Sequence, residues 1–358
     1  MSCNFGNNIK LTVFGQSHSQ AIGCVIDGIP AGIRIDEEKI AAFMLRRAPG
    51  RNSVSTSRKE ADICNIVSGV VDGVTCGAPI CAIIENTNQH SGDYDKLRNL
   101  PRPAHSDYAA FIKNGGFNDI RGGGNFSGRM TAPLCFAGAV CIQILENKGI
   151  EIGAHVSSIG NIDDERFDPV NVNKSDLDLV KGKDFPVICD KKGQEMYALI
   201  EKAKANLDSV GGTIECAVTG IKAGIGDPIF DGIENRISSV IFGIPAIKGI
   251  EFGSGFDGSR LFGSENNDEF TTENGEIRTK TNNHGGILGG ITSGMPVIFR
   301  CAVKPTPSIG KEQQTVNLAT GEAETLSVGG RHDPCIVQRA VPCVEAAAAL
   351  AIADYILK

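Results

Sequence analysis

The chain has 358 residues, 41% of them hydrophobic and 22% charged, a composition that favours a globular protein over a disordered or fibrous one. Its 35 basic and 42 acidic residues leave a net charge of −7, which argues against a general polyanion binder such as a duplex-DNA protein, so any anion site must be local. Twelve cysteines without Cys-x-x-Cys pairs favour reduced thiols over a zinc site or a disulfide framework. The chain starts without a signal-peptide pattern, and two acids interrupt its longest apolar run near the end. We therefore expect a cytoplasmic protein with no membrane or nucleic-acid partner.

Hydrophobic patterning predicts both strands and helices. The first helix has the clearest signals, because Asp36 can cap it, acids occupy its first turn and Pro49-Gly50 follows it. Its apolar face includes position 47, so we expect Arg47 to point inward and Arg46 to point elsewhere. The predicted strands are 11–14, 24–29, 80–84, 213–219 and 297–303, and the predicted helices are 37–47, 131–148, 195–207, 234–242 and 341–357.

Two segments of the chain echo two others in the same order. Residues 24–33 match 216–225, with a helix after each copy, and residues 73–80 match 290–297. Ordered repetition is typical of duplicated supersecondary units, although glycine-rich turns can also match through composition alone. A duplication would place the helix at 234–242 beside the one at 37–47. The predicted pseudo-repeat halves are about 10–84 and 211–303, with inserts of about 85–210 and 251–283.

A glycine-rich loop runs from Arg121 to Arg129 and leads directly into the predicted helix at 131. Its glycines free backbone N–H groups, the helix start adds partial positive charge and the two arginines add full charges, so phosphate binding is favoured over a plain flexible loop. Residues 304–308 place a cation and two hydroxyls on a stiff segment that could line a cofactor or could be only a strand exit. The G-x-G-x-x-G pattern at 253–258 lacks a following helical period, which argues against a Rossmann site.

The six histidines fall into two groups by their neighbours. One group stands beside turn residues and charges, a setting that suits proton transfer, although each of these alone could equally make a structural hydrogen bond. That group comprises His18, His105 and His332. The remaining histidines have weaker contexts and are expected to be structural: His90, His155 and His284.

Taken together, these segments resemble chorismate synthases over nearly the whole chain. The resemblance implies a single α+β domain, a β-α-β sandwich of antiparallel sheets around a central helical layer, with internal pseudo-duplication and usually assembled as a homotetramer. It also implies a carbon–oxygen lyase of the shikimate pathway, which converts 5-enolpyruvylshikimate 3-phosphate to chorismate by anti-1,4-elimination of phosphate and needs reduced FMN without net redox. The motifs that carry it are Phe14-Gly-Gln-Ser-His18, Arg46-Arg47-Ala-Pro-Gly50, Arg102-Pro-Ala-His105-Ser-Asp107, Arg121-Gly-Gly-Gly124, Asn283-His-Gly-Gly-Ile-Leu-Gly-Gly290, Lys304-Pro-Thr-Pro-Ser-Ile309 and Gly330-Arg-His-Asp-Pro-Cys335.

The resemblance also implies roles for individual residues. His105 would protonate or polarise the reduced flavin, His18 would protonate the departing phosphate, and Asp333 would help the flavin N5 accept the ring proton. The implied substrate-binding residues are Ser17, Arg47, Arg102, Arg129 and Arg331. The implied FMN-binding residues are Asn125, Phe126, Ser127, Pro245, Ala246, Gly289, Lys304, Pro305, Thr306, Pro307 and Ser308, with Arg331 serving both ligands.

Some positions depart from the usual pattern of the family. They are Gln16 for glutamate, Ser19 for glycine, Ala48 for arginine and Asn125-Phe126 for Arg-Ser.

Retention of the acid–base residues argues against a non-catalytic flavin- or phosphate-binding protein on this scaffold. An ordinary flavin oxidoreductase is the other alternative, and it would oxidise one flavin per product. Both intrinsic flavin reduction by NAD(P)H and an external flavin reductase are compatible with the sequence, as are a tetramer and a dimer.

Overall fold

The computed structural model describes residues 3–50, 54, 60–87, 98–329 and 333–357. Within these residues, two five-stranded antiparallel sheets enclose a layer of helices, and one hydrophobic core joins the three layers. The helices are α1 (Glu37–Arg47), α2 (Asp107–Lys113), α3 (Thr131–Glu146), α4 (Lys174–Lys181), α5 (Asp190–Ala205), α6 (Ile233–Ile241), α7 (Gly255–Gly258), α8 (Gly263–Asn266) and α9 (Val337–Ile356). The strands are β1 (Asn4–Phe5), β2 (Lys10–Gly15), β3 (Ala21–Asp27), β4 (Asn65–Ser68), β5 (Val70–Val71), β6 (Val74–Thr75), β7 (Ile80–Glu85), β8 (Glu151–Ile159), β9 (Ile162–Asp163), β10 (Gly212–Thr219), β11 (Ile247–Phe252), β12 (Phe270–Glu273), β13 (Glu276–Thr279), β14 (Ile287–Leu288), β15 (Ile291–Thr292), β16 (Val297–Val303), β17 (Gln313–Val316) and β18 (Ala323–Leu326).

Four strands of each large sheet, β2-β3-β7-β4 and β8-β10-β16-β11, share one topology, whereas the fifth strand precedes its neighbour in the first sheet and follows it in the second. The first has the strand order β1-β2-β3-β7-β4, and the second has the order β9-β8-β10-β16-β11. Every pairing in both sheets is antiparallel. The predicted α+β sandwich with internal pseudo-duplication is therefore confirmed.

The duplication extends to single hydrogen bonds at the turn after β3 and the turn after β10. The Thr75 hydroxyl donates to Pro30 O at 2.7 Å and accepts from Ile33 N at 2.9 Å. The Thr292 hydroxyl donates to Lys222 O at 2.6 Å and accepts from Ile225 N at 3.0 Å. The matched sequence segments thus fold into the same local structure, which composition alone would not produce.

Gly28 and Gly220 occupy equivalent positions at the ends of β3 and β10. Both have positive φ, and a Cβ on either would lie about 2 Å from a carbonyl oxygen, at 2.1 Å from Asn8 O and at 2.0 Å from Gly149 O. Each glycine is therefore required where its strand passes the start of the neighbouring strand.

Two details of the predicted organisation need correction. The insert predicted over 85–210 is too long, because it contains α3 and β8, which belong to the helical layer and to the second sheet. The expectation that the helix at 234–242 packs beside α1 is also wrong. Instead α1 packs on α3 and α6 packs on α9, with the α3–α9 contact between them.

The contact between α3 and α9 forms the centre of the protein. A Cβ on Gly138 of α3 would lie 2.2 Å from the Cβ of Ala346, so only glycine permits this close approach. Within the described residues, the helical stretch 128–146 is long and apolar enough for a membrane span, but 78% of its apolar window is buried inside the protein. Its hydrophobicity is therefore explained by its place in the core.

The buried acids that interrupt the apolar run of α9 each have an arginine partner. Glu345 binds Arg46 through two hydrogen bonds, of 2.6 and 2.9 Å, and accepts a third from Ala154 N. Asp354 accepts from Asn8 N and binds Arg236. These acids fasten the central helix to its neighbours. Arg46, which the sequence predicts to point elsewhere than Arg47, is also directed into the helical layer, because it binds the fully buried Glu345 of α9.

His155 of β8 is fully buried and structural in its contacts. Its Nε2 lies 3.0 Å from Glu215 Oε2, and its Nδ1 lies 3.2 Å from Asp164 Oδ2. Burial alone would lower the pKa of His155, but the hydrogen bonds to both carboxylates outweigh burial and raise it. His155 therefore joins β8 to β10 and to the segment after β9, and both carboxylates favour its protonated form.

We expect His155 to make stability depend on pH. Because its pKa is higher in the folded than in the unfolded state, its contribution is complete below the unfolded value of about 6.5 and is lost as pH rises through the folded pKa. In equilibrium urea unfolding, the free energy of unfolding of the parent should fall with rising pH more steeply than that of His155→Gln. Identical pH profiles would show that His155 is not protonated in the fold.

Candidate active site

A cavity of about 630 Å³ opens where several segments meet. These are the end of α1, the segment before α2, the glycine loop before α3, the segment between α6 and β11, the exit of β16 and the start of α9. The volume lies within the roughly 300–1,000 Å³ of small-molecule sites. The predicted site residues that line it are Arg47, Arg102, His105, Asn125, Phe126, Ser127, Arg129, Pro245, Ala246, Lys304, Thr306, Pro307, Ser308 and Asp333.

The other predicted site residues lie elsewhere. Ser17 and His18 are buried and lie against Gly122, which itself lines the cavity. Pro305 does not line the cavity, and Gly289 lies in the exposed turn between β14 and β15. Arg331 and His332 fall outside the described residues, as does His90.

The glycine loop brings the two catalytic histidine candidates, His18 and His105, to one place. Gly122 and Gly123 have φ values of 60° and 86°, in the left-handed region that glycine adopts without strain. A Cβ on Gly122 would lie 2.4 Å from the His18 ring, and a Cβ on Gly123 would lie 3.4 Å from His105 Nε2. Adjacent glycines therefore let the backbone pass between the two imidazoles.

Asp107, in the first turn of α2, orients His105. Its carboxylate lies 2.6 Å from His105 Nδ1 and 2.7 Å from Arg102 Nε. Burial opposes its ionisation, but hydrogen bonds from Arg102 and His105 hold the pKa of Asp107 well below its usual range. Because Asp107 binds Nδ1, Nε2 is the ring nitrogen that faces Gly123.

Asp62, which is buried, binds two of the arginines that line the cavity. This carboxylate accepts from Arg47 Nε at 2.8 Å and makes a short contact with Arg129 Nη1. Burial raises the pKa of Asp62, but the two guanidinium groups outweigh burial and lower it. Arg129 also binds Glu60 at 3.0 Å and Asn86 at 2.9 Å. Both guanidinium groups are thereby fixed at the cavity wall.

The exit of β16 is fastened to the segment that carries His105. Lys304 Nζ donates to Ala104 O at 2.6 Å, and Arg102 Nη1 donates to Ser308 Oγ at 3.2 Å. Burial and the nearby charge of Lys248 lower the pKa of Lys304. Residues 304–308 are thus part of the cavity wall and not only a strand exit.

Asp333 lies in the segment that precedes α9, at the cavity wall. Arg339 Nη1 binds its carboxylate at 2.5 Å, and Arg339 Nε donates to Arg47 O at 3.1 Å. Arg339 therefore connects Asp333 to the end of α1. No role for Arg339 or Lys248 follows from the motifs, although both add positive charge to the cavity.

The charges and unpaired atoms of the cavity suit an anionic ligand with hydrogen-bond donors. Among the described residues that line it, the carboxylates are Glu60 and Asp333, whereas the cations are Arg47, Arg102, Arg129, Lys248, Lys304 and Arg339. Asn125 Oδ1 and Thr306 Oγ1 are buried and have no hydrogen-bond partner within the described part of the chain. Buried polar atoms without partners are costly, so a ligand that supplies donors would stabilise this wall.

Sequence reasoning missed Asp62 and Asp107. Asp107 had a recognisable signal, because it follows His105 by two residues and begins a helix, which places its carboxylate beside the imidazole. Asp62 had none, since its role depends on contacts with α1 and with the glycine loop, far away in the sequence.

Comparisons with known proteins give one family. The family model described as chorismate synthase matches residues 9–357. The chain is 45% identical to the chorismate synthase of Lancefieldella parvula, over 99% of this chain and 96% of that protein, and 46% identical to that of Lachnoclostridium phytofermentans, over 99% and 95%. A crystal structure of chorismate synthase aligns with a TM-score of 0.78 at 28% identity, covering 99% of this chain and 93% of that chain.

Proposed function

This chain belongs to the chorismate synthase family, and we propose that it converts 5-enolpyruvylshikimate 3-phosphate to chorismate by anti-1,4-elimination of phosphate, with reduced FMN and without net redox. The observation that carries the proposal is the meeting of His18 and His105 at adjacent glycines, beside a cavity lined with arginines. Elimination of phosphate needs cations for the leaving group and groups that move protons, and binding alone needs no such pair of histidines.

The arginines account for binding of the substrate. The substrate carries two carboxylates and a phosphate, and Arg47, Arg102 and Arg129 each present a guanidinium group that a carboxylate of the protein holds in place. Guanidinium forks bind such anions through paired hydrogen bonds. Because the forks are already fixed, little side-chain entropy is lost when the substrate binds.

Protons move at three atoms in this proposal. His105 Nε2, oriented by Asp107, faces the cavity and polarises or protonates the cofactor. His18, packed against Gly122, supplies the proton for the departing phosphate. Asp333, fixed by Arg339, helps the proton leave the substrate ring.

The cavity fits FMN by the chemistry of its wall. The unpaired Asn125 Oδ1 and Thr306 Oγ1 can accept from ring N–H and ribityl hydroxyl groups, and Lys248 and Lys304 can neutralise the cofactor phosphate. Phe126 and Ala246 add apolar surface. Reduced FMN, when bound, supplies a transient electron that is returned within the same turnover.

Assembly, location and supply of reduced cofactor are also proposals. Large hydrophobic side chains such as Phe117, Phe230 and Phe262 are strongly exposed, which supports burial in a homo-oligomer of four chains. All twelve cysteines are free thiols, which supports a reducing cytoplasm. In that compartment an external flavin reductase can supply the reduced FMN.

The proposed function is tested by anaerobic incubation with the substrate and chemically reduced FMN. We expect phosphate and chorismate to appear together in equal amounts, and neither to appear when reduced FMN is replaced by oxidised FMN. Binding of flavin and substrate without release of phosphate would leave only a binding protein on this scaffold.

Replacing Gly122 by alanine should displace His18. The new Cβ would lie 2.4 Å from the His18 ring and 2.5 Å from Ser17 Oγ, and a misplaced catalytic group costs on the order of 100-fold in rate. The measurement is the rate of phosphate release. Gly149→Ala is the matched control, because Gly149 also has a positive φ, of 78°, but has no atom within 4 Å of the new Cβ. Equal rates in both variants would mean that the position of His18 does not matter.

A further inference from the structure

A pair of buried cysteines lies at the inner end of the cavity and has no role in the proposed chemistry. Cys135 of α3 and Cys343 of α9 have their sulfur atoms 3.6 Å apart. One turn further along both helices, Gly138 packs against Ala346 at the closest approach of the two backbones. The two thiols are therefore held together by the central helix contact and not by a flexible surface loop.

The surroundings of Cys343 favour its thiolate. The hydrogen bond from Cys135 lowers the pKa of Cys343 despite its burial, and the positive charges of Arg47 and Arg339 act in the same direction. Burial raises the pKa of Cys135, which remains the protonated partner. Cys343 is also one of the residues that line the cavity, which gives small solutes a route toward it.

We propose that Cys135 and Cys343 form a redox-active dithiol, which hydrogen peroxide entering through the cavity converts reversibly to a disulfide. The Cys343 thiolate attacks one peroxide oxygen, so an S–O bond forms, the O–O bond breaks and hydroxide leaves. The Cys135 sulfur then attacks the Cys343 sulfur, so the S–S bond forms, the S–O bond breaks and a second hydroxide leaves. The two thiol protons convert both hydroxides to water, and the two electrons lost by the sulfurs reduce the peroxide.

Disulfide formation would change the cavity wall. The sulfur atoms must approach from 3.6 Å to about 2.05 Å, which draws Cys343 toward α3. It also removes the thiolate that the charges of Arg47 and Arg339 favour, and Arg339 is the residue that connects α1 to Asp333. This consequence for turnover rests on the proposed function, whereas the formation of the disulfide does not.

The test is treatment of the native protein with a small excess of hydrogen peroxide, followed by peptide mapping without reduction. We expect a linked peptide pair containing Cys135 and Cys343, a loss of two of the twelve titratable thiols, and recovery of both after dithiothreitol. In Cys135→Ala, the reaction should stop at a sulfenic acid on Cys343 that dimedone labels. Cys141→Ala is the matched control, because Cys141 is a buried thiol of the same helix whose pKa is raised to about 12, and its loss should leave the link unchanged.

The absence of the link in the native protein, or dimedone labelling of other cysteines with Cys343 unlabelled, would overturn the proposal. Oxidised protein should also release phosphate more slowly than reduced protein and regain its rate after dithiothreitol. If the reduced protein releases no phosphate, the proposed function fails, but the peptide map still decides whether the dithiol forms. An unchanged rate in fully linked protein would refute the effect on the cavity.

Discussion

Replacing His105 or His18 by alanine should lower the rate of phosphate release by roughly two to four orders of magnitude, the scale for a positioned acid or base, while the protein stays folded. His105 presents Nε2 to the glycine loop because Asp107 binds its other nitrogen at 2.6 Å. His18 packs directly against Gly122, which lines the cavity. The measurement is single-turnover phosphate release under anaerobic conditions, with circular dichroism to confirm the fold.

The role of Asp107 gives this prediction a sharper form. If Asp107 acts by orienting His105, Asp107→Asn should slow the parent but should have a much smaller effect in the His105→Ala background. An equal effect in both backgrounds would mean that Asp107 acts through Arg102 alone. A near-normal rate in either histidine variant would show that this histidine is structural and does not transfer a proton in the reaction.

Asp62→Asn should lower the free energy of unfolding by about 3–5 kcal/mol, because it leaves the buried Arg47 guanidinium without its counter-charge. The folded pKa of Asp62 lies below the unfolded value of about 3.9. Its contribution is therefore present above that value and is lost as pH falls through the folded pKa. Equilibrium urea unfolding at neutral and acidic pH should show a large difference at neutral pH that shrinks in acid.

Glu269→Gln is the control for Asp62→Asn. Glu269 binds Lys280 at the surface, with both side chains more than half exposed, and an exposed pair contributes little. We expect no measurable change in the unfolding of this variant. A small effect of Asp62→Asn at neutral pH would show that Arg47 finds another partner or water.

Elements with strong local signals could be predicted from the sequence. Helix α1 has the predicted bounds, because Asp36 caps it through Glu38 N and Lys39 N and its charges agree with the helix dipole. Strand β16 also has the predicted bounds, since six of its seven residues are apolar and turn residues flank it, with Arg300 as the one charged residue. The inward direction of Arg47 follows from the helical period alone, and the structure buries it.

Strand β8 could not be predicted in this way. It is buried along almost its whole length and contains His155 and two serines, so neither alternation nor a continuous apolar run marks it. Its polar residues are tolerated because distant partners satisfy them, as Glu215 does for His155 and Thr213 does for Ser158. Such compensation is visible only once the sheet is assembled.

The candidate site was predictable through motifs and only in part through physical pattern. The glycines and cations of the glycine loop and of Lys304–Ser308 predict an anion site. The family resemblance adds the roles of His18, His105 and Asp333. The packing of α3 on α9 could not be predicted from the sequence, because it depends on the small residues Gly138 and Ala346. Nothing in the sequence indicates which neighbour such small residues contact. For the same reason, the proximity of Cys135 to Cys343 could be found only in the structure.

The ratio of chorismate formed to flavin consumed tests the central claim most directly. With reduced FMN at one hundredth of the substrate concentration under strict anaerobiosis, we expect the substrate to be converted to chorismate and phosphate while the absorbance of reduced flavin persists. Formation of one product per flavin, with matching oxidation of the flavin, would contradict an elimination without net redox and would assign this cavity to an ordinary flavin oxidoreductase.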